Sequence, residues 1–184
     1  NKYIAKKVFE QAKKLEQVIF TAFTHEPAVL LAEKLLSVLP GNFSKVFYTD
    51  DGSTATEVAI KLSLQYWRNV GNNSRSKILA FHNSYHGDTF GAMSVSERGI
   101  YTAAFEGKLF DVIFIDTPTK KNIDHLKEEI EKYKDEIVCF IYEPLLQGAG
   151  GMLMYQPDDL NELLRYLKKE KILCIADEVL TGFY

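Results

Sequence analysis

The stretch ILCIADE, residues 172–178, places five apolar residues directly before two carboxylates. A short run of this kind predicts a strand that is buried on both faces, as in a parallel sheet. Asp177 would then stand at the carboxyl end of the strand, which is the edge where open α/β sheets bind their ligands. A carboxylate is costly to bury there unless a cation pairs with it.

Similar apolar runs recur along the chain and alternate with amphipathic segments. This alternation is typical of an α/β fold in which helices flank a mainly parallel sheet. The predicted strands are Lys45–Thr49, Lys77–Phe81, Val112–Ile115, Ile137–Tyr142 and Ile172–Ala176. The predicted helices are Ala28–Val38, Thr54–Val70, Ile123–Tyr133 and Asp158–Lys169.

The composition excludes several classes of function. With 46% hydrophobic and 26% charged residues, the chain resembles an ordinary globular protein. A net charge of -3 gives no electrostatic reason to expect nucleic acid as a partner. No apolar run is long enough to cross a bilayer, so we expect no membrane segment. The two cysteines and four histidines are scattered, which argues against a disulfide framework or a metal centre and favours a cytoplasmic protein.

A first candidate site lies where a predicted strand gives way to a helix, because residues 51–54 read Asp-Gly-Ser-Thr. Gly52 and Ser53 would stand at the helix start, which offers free backbone N–H groups and the positive end of the helix dipole. These groups suit a phosphate, although Ser and Thr also cap many helices that bind nothing. The stretch has neither a Walker A ending nor the spacing of a dinucleotide fingerprint.

Two further loops follow predicted strands. In NSYHGDT, residues 83–89, an aromatic side chain beside a glycine is suited to lie against a planar ring, with Asp88 and His86 as polar groups nearby. In EPLLQGAGG, residues 143–151, the strand-end carboxylate of Glu143 precedes a loop with three glycines. Glycines of this kind let a backbone turn sharply or approach a ligand closely. Each loop also has a purely structural interpretation, as a polar turn around a packed tyrosine or as a tight turn.

Together these segments supply a phosphate anchor, an aromatic residue to stack on a ring and a carboxylate for a ring nitrogen, all at strand ends. This combination favours pyridoxal 5'-phosphate as the cofactor. Asp177 would pair with the protonated pyridine nitrogen and keep the ring a strong electron sink. An ordinary salt bridge at Asp177 is the alternative.

The same segments resemble, in order and spacing, the class III aminotransferases of fold type I. The resemblance rests on residues 51–53, 57–59, 85–87, 143–144 and 177–183, and it runs from about His25 to the end of the chain. It implies the fold type I large domain and pyridoxal phosphate as the cofactor.

The resemblance also implies roles for particular residues. Gly52 and Ser53 would hold the phosphate, and Asp177 would pair with the ring nitrogen. Tyr85 would stack on the ring and contact the substrate. Asp88 stands where the family places a carboxylate near the amino end of the substrate, and Glu143 would lie near the cofactor.

Within the class, residues 24–28, 85–95 and 147–152 are most similar to the branch that acts in biotin synthesis. Relatives that use ornithine or 4-aminobutyrate usually carry an acidic residue where Ala149 stands, and its absence predicts a donor other than glutamate. The resemblance therefore implies transfer of the amine of S-adenosylmethionine to 8-amino-7-oxononanoate. The alternatives are another class III aminotransferase that acts on ω-amino acids and a non-catalytic cofactor-binding homologue.

On this resemblance, residues 1–26 lead into the large domain and residues 27–184 form part of it. The lysine that forms the Schiff base and the C-terminal small domain would follow after Tyr184, so we expect the 184 residues alone to be inactive. The family implies a homodimer that acts on small molecules, with its active sites at the subunit interface. Leu180 and Tyr184 depart from the family pattern, in which a small residue and a glycine are commoner, so the resemblance does not define the pocket wall at these two positions.

Overall fold

The computed structural model describes residues 1–183 and contains two compact units, Asn1–Tyr48 and the part from Thr49 onward. The division differs from the family-based boundary between residues 26 and 27, which stays a prediction. We describe each unit by itself.

The first unit contains two helices, α1 (Lys2–Lys14) and α2 (Glu26–Val38). His25 is the N-cap of α2, and its ring nitrogen Nδ1 accepts a hydrogen bond from the N–H of Ala28 at 3.1 Å. The hydroxyl of Tyr48 donates to the carbonyl of Ala28 at 2.6 Å and ties the end of this unit to the start of α2. The apolar pattern predicts α2 but not α1.

The predicted strand Lys45–Thr49 is wrong, since these residues have no strand structure. A β-strand is held by hydrogen bonds to a neighbouring strand, and no segment within residues 1–183 pairs with this one. Its apolar residues give it the composition of a strand, but composition does not supply a partner.

The second unit is built on a parallel sheet. In chain order its strands are β1 (Lys77–Phe81), β2 (Val112–Ile115), β3 (Ile137–Tyr142), β4 (Leu146–Gln147), β5 (Leu153–Met154) and β6 (Leu173–Ala176). The four strands β2, β1, β3 and β6 lie side by side in that order, all parallel. The short strands β4 and β5 form a separate antiparallel pair.

The helices of this unit are α3 (Gly52–Asn69), α4 (Phe90–Ser94), α5 (Ile123–Glu131) and α6 (Pro157–Lys169), and a short 3-10 helix covers Ala103–Lys108. The sequence predicts both ends of α3, α5 and α6 to within two residues. It does not predict α4, the 3-10 helix or the pair of β4 and β5, which are all very short.

Three predicted strands, β1, β2 and β3, are confirmed with their bounds. The last strand begins one residue later than predicted, at Leu173. Lys171 has a φ of 59°, and the N–H of Ile172 donates to the carbonyl of Leu167 at 2.9 Å. This pattern closes the end of α6, so Ile172 belongs to the helix terminus rather than to the strand.

Helices cover both faces of the sheet. On one face, Phe81 and Phe140 pack with residues of α5 and α6 that include Leu126 and Leu163. On the other face, Trp67 of α3 packs with the remaining strand residues, and its indole N–H donates to the carbonyl of Val138 at 2.8 Å. β3 is buried along its whole length, so a ligand cannot reach the faces of this strand. A ligand can reach the sheet at the loops that follow the carboxyl ends of the parallel strands. None of the helices within residues 1–183 is both long and apolar enough to span a membrane.

Candidate active site

A cavity of about 560 Å³ lies where the loops after β1, β3 and β6 meet the start of α3. Its lining includes all five residues that the sequence predicts to contact the cofactor: Gly52, Ser53, Tyr85, Glu143 and Asp177. Tyr85, Glu143 and Asp177 converge because parallel strands end at the same edge of the sheet. Gly52 and Ser53 lie at the start of α3, which packs against the loop after β1. Asp88 lines a neighbouring cavity of about 540 Å³ instead, and Tyr85 lines both.

The start of α3 is capped in a way that leaves two donors free. The carboxylate of Asp51 accepts the N–H of Thr54 at 2.8 Å, and the hydroxyl of Thr54 accepts the N–H of Asp51 at 3.2 Å. The N–H of Ala55 donates to the carbonyl of Asp51. The N–H groups of Gly52 and Ser53 have no hydrogen-bond partner within the 183 described residues. An anion such as a phosphate suits this helix end.

The loop that carries Tyr85 is packed directly onto the start of α3. The hydroxyl of Ser53 accepts a hydrogen bond from the N–H of Asp88 at 3.2 Å. Gly87 has a φ of 125°, and a Cβ there would lie 2.1 Å from the Ser53 Oγ. Only glycine fits at this position, because both the backbone conformation and the space exclude a side chain.

Tyr85 keeps its proton in this environment. Its hydroxyl donates to the carboxylate of Asp88 at 3.0 Å. Burial, together with this hydrogen bond and the nearby negative charge, raises the pKa of Tyr85 above its usual value. The side chain is therefore a neutral phenol that can offer its ring face to a planar ligand.

Asp177 is held by a histidine to which the sequence assigns no role. The Nδ1 atom of His86 lies 2.7 Å from Oδ2 of Asp177, and the two side chains are 0% and 8% exposed. The other carboxylate oxygen accepts the N–H of Val179 at 3.1 Å. The position of His86 beside Tyr85, in a loop that follows a strand, is the only signal in the sequence for this contact.

The second ring nitrogen of His86, Nε2, is buried and has no hydrogen-bond partner within residues 1–183. The imidazole is thus anchored through Nδ1 alone. A histidine in this arrangement fixes the orientation of the carboxylate that it contacts, as in pairs that orient functional ligands elsewhere.

Glu143 contacts two loops through its two carboxylate oxygens. Oε2 accepts the N–H of Tyr85 at 3.1 Å, and Oε1 accepts the N–H of Gly148 at 3.0 Å. Burial raises the pKa of Glu143, and the two N–H donors oppose that shift because they favour the charged carboxylate. Its contact with a cofactor stays a prediction.

The glycine-rich loop approaches its neighbours closely. A Cβ at Gly150 would lie 2.1 Å from the carbonyl oxygen of Asn83, and a Cβ at Gly148 would lie 2.4 Å from Cδ2 of Leu180. Leu180, one of the two departures from the family pattern, forms part of the cavity wall. Ala149 lines both cavities. Tyr184, the other departure, lies outside the described residues.

The donors and the acidic group around the cavity fit pyridoxal phosphate. The free N–H groups of α3 suit its phosphate, the ring of Tyr85 suits its planar ring, and the buried Asp177 suits its cationic ring nitrogen. No lysine lines the cavity in the part of the chain that the structure describes.

Comparisons with known proteins identify relatives of this chain. A sequence profile of the class III aminotransferases matches residues 1–184. An adenosylmethionine-8-amino-7-oxononanoate aminotransferase of Synechococcus elongatus is 46% identical, over 98% of this chain and 45% of its own length.

Two solved structures extend the comparison. The enzyme of the same name from Methanocaldococcus jannaschii is 33% identical, with a TM-score of 0.94 over 100% of this chain and 42% of its own. A transaminase from the marine bacterium Virgibacillus is 32% identical, with a TM-score of 0.91 over the same shares. The predicted fold class is confirmed, and the chain spans less than half the length of these relatives.

Proposed function

Because the chain belongs to the class III aminotransferases, we propose that the complete protein uses pyridoxal phosphate to move the amine of S-adenosylmethionine onto 8-amino-7-oxononanoate. This reaction gives 7,8-diaminononanoate and belongs to biotin synthesis. The proposal is supported by the 46% identity to the Synechococcus elongatus relative that bears the name of this activity.

One observation carries the proposal: a buried carboxylate, Asp177, lies at a strand end in the same cavity as two free N–H groups at the start of α3. A cofactor with an anionic group and a cationic ring nitrogen satisfies both. Pyridoxal phosphate, when bound, supplies an electron sink for the reacting carbon.

The residues of this chain would divide the work of binding. Gly52 and Ser53 would hold the phosphate through their N–H groups, and Tyr85 would restrict the ring to one plane. Asp177 would keep the ring nitrogen protonated, and His86 would hold Asp177 in the orientation for that contact. Asp88, through its hydrogen bond to the hydroxyl of Tyr85, would lie beside the amino end of the substrate.

We infer a homodimer for the complete protein, as the family resemblance implies. Light scattering on the purified protein measures its mass and tests this part of the proposal. A monomer with full activity would contradict it.

The main test is the choice of amino donor. The complete protein is incubated with pyridoxal phosphate and 8-amino-7-oxononanoate, and product is measured with S-adenosylmethionine, glutamate or ornithine as donor. We expect product with S-adenosylmethionine and little with the other two. Comparable rates with all donors would favour a generalist aminotransferase.

A second candidate is an aminotransferase for other amines, and the similarity to the Virgibacillus transaminase favours it. The result that would identify it is transfer of the amine of an ω-amino acid such as 4-aminobutyrate to a 2-oxo acid, with no product from 8-amino-7-oxononanoate. A third, a non-catalytic cofactor-binding homologue, would bind pyridoxal phosphate and catalyse neither transfer.

A further inference from the structure

Glu143 lines the cavity, but its carboxylate is hydrogen-bonded to the protein backbone. It follows β3, and the residue is only 6% exposed. Each of its two carboxylate oxygens accepts a backbone N–H, from Tyr85 on one side and from Gly148 on the other. A buried carboxylate whose two oxygens accept N–H groups from two different segments holds those segments together.

The two segments that it connects both contribute to the cavity lining. We call residues 82–89 the tyrosine loop and residues 148–151 the glycine loop. The tyrosine loop presents Tyr85 to the cavity, and the glycine loop presents Gly148 and Ala149. The N–H of Tyr85 itself donates to Glu143, so the bond acts on the backbone of a residue that lines the cavity.

The other contacts between these parts of the chain lie farther from Tyr85 along the sequence. The side-chain amide of Gln147 donates to the carbonyl of His82 at 2.7 Å, and Gly150 packs against the carbonyl of Asn83. Both contacts hold the first residues of the tyrosine loop. Neither contact reaches the N–H of Tyr85, whose acceptor is Glu143, and the backbone on either side of Tyr85 is held by Ser96 and Glu97.

We propose that Glu143 is a positioning residue whose carboxylate clamps the tyrosine loop to the glycine loop and so sets the ring of Tyr85 for the cofactor. The proposal rests on the proposed function, since it takes pyridoxal phosphate as the ligand of the cavity. It differs from the sequence-based expectation that Glu143 contacts the cofactor itself.

The first test measures amide hydrogen exchange in the complete, cofactor-free protein with Glu143→Gln. A glutamine has one acceptor oxygen in place of two, and its NH2 group would face a backbone donor. We expect exchange at the N–H of Tyr85, of Gly148 or of both to become about 10- to 100-fold faster, the effect of losing a hydrogen bond to a charged group. Unchanged exchange at both would overturn the proposal.

A variant with Glu143→Asp decides the question if the glutamine variant does not fold. Aspartate keeps the charge, but it is one methylene shorter and cannot span both loops in the same way. We expect faster exchange at one of the two amides. If both amides keep their original rates, Glu143 is not the clamp.

The second test asks whether Glu143 acts through Tyr85. Affinity for pyridoxal phosphate is measured by absorbance for Glu143→Gln, for Tyr85→Leu and for the double variant. We expect Glu143→Gln to weaken binding about tenfold when Tyr85 is present and less than about twofold when it is absent, because coupled residues are not additive. Equal losses in both backgrounds would overturn the proposal.

Trp67→Phe is the matched control, because it removes another buried hydrogen bond to the backbone, at 2.8 Å, outside the cavity. We expect it to lower stability without changing exchange at Tyr85 and Gly148. The exchange test uses neither cofactor nor substrate, so the clamp can stand if the proposed donor is wrong. Conversely, the donor assay on the unaltered protein does not depend on Glu143.

Discussion

At the scale of single residues, the central feature of the site is the pair formed by Asp177 and His86. Both side chains are almost fully buried, and one carboxylate oxygen of Asp177 is taken up by the ring nitrogen of His86. The other oxygen accepts the N–H of Val179. A carboxylate that is held from two directions cannot rotate freely, and such preorganisation is what a contact with a ring nitrogen requires.

We expect Asp177→Asn in the complete protein to slow transamination by about 10²- to 10⁴-fold, the range for groups that act in proton chemistry. Asparagine keeps the size of the side chain but cannot hold the pyridine nitrogen protonated. Turnover is measured with saturating cofactor, and the fold is checked by circular dichroism.

The control for loss of a carboxylate is Asp124→Asn, since the side chain of Asp124 is 90% exposed on α5. It should leave turnover unchanged. Near-normal turnover of Asp177→Asn would show that the assignment at the end of β6 is wrong.

Ala149 is the residue on which the choice of donor depends in our proposal. It lines both cavities, so a carboxylate placed there would lie at the wall of each. On the family resemblance, we expect Ala149→Glu to raise the ratio of glutamate to S-adenosylmethionine activity by about tenfold, a modest change on the scale of substrate discrimination. The two activities are measured as kcat/KM for each donor.

Ala149→Gln is the matched control, because glutamine has the size of glutamate without its charge. We expect it to lower both activities through crowding and to leave their ratio unchanged. If Ala149→Glu and Ala149→Gln change the ratio of the two activities equally, the size of the side chain at position 149 and not its charge determines the choice of donor.

At the scale of elements, the site lies where secondary-structure elements begin or end. It is formed by the loops at the carboxyl ends of β1, β3 and β6 and by the start of α3. The capping box of Asp51 and Thr54 satisfies its own donors and leaves those of Gly52 and Ser53 free. The loops after the strands are then fastened to one another by close backbone contacts. These contacts explain why the loops contain glycine where they do.

We expect Gly150→Ala to destabilise the fold by about 1–3 kcal/mol, the usual cost of forcing atoms into a packed site. The new Cβ would lie 2.1 Å from a backbone oxygen, that of Asn83, which cannot rotate away as a side chain can. The measurement is the free energy of unfolding in denaturant, together with affinity for pyridoxal phosphate, which should fall.

Gly107→Ala is the control, because a Cβ at Gly107 meets no atom within 4 Å and its φ is not in the left-handed region. We expect a change within about 0.5 kcal/mol there. If the two alanine variants are equally stable, the close approach of the glycine loop to Asn83 is not a constraint on the fold.

At the scale of the whole molecule, the cavity has a phosphate end, a ring face and a carboxylate, and no lysine lines it within residues 1–183. Class III relatives are more than twice the length of this chain. Large apolar side chains such as Phe43, Phe47 and Val179 are exposed in one or the other unit, and exposed apolar surface favours association.

We therefore expect a polypeptide of these 184 residues to bind pyridoxal phosphate weakly, without a covalent bond, and to catalyse no transamination. A covalent link and the transfer of a proton between substrate and cofactor both need a lysine at the site. The absorbance of the mixture reports the link. An adduct that borohydride traps on one lysine, accompanied by turnover, would contradict this expectation, and the complete protein is the positive control.

Much of this protein could be predicted from local sequence. The strands β1, β2 and β3 have their predicted bounds, because a run of buried residues marks a strand without knowledge of its neighbours. The residues predicted to bind the cofactor all line one cavity. Tyr85, Glu143 and Asp177 follow strands, and parallel strands end together. Gly52 and Ser53 follow no strand, and the packing of α3 brings them to the same place.

Contacts between distant residues were decided only by the tertiary structure. His86 and Asp177 are 91 positions apart, and Glu143 reaches Tyr85 across 58 positions. The segment 45–49 has the composition of a strand but gains no partner within residues 1–183. Periodicity and capping depend on residues within a few positions of each other, whereas hydrogen bonds between loops and the order of strands in a sheet depend on how the whole chain folds.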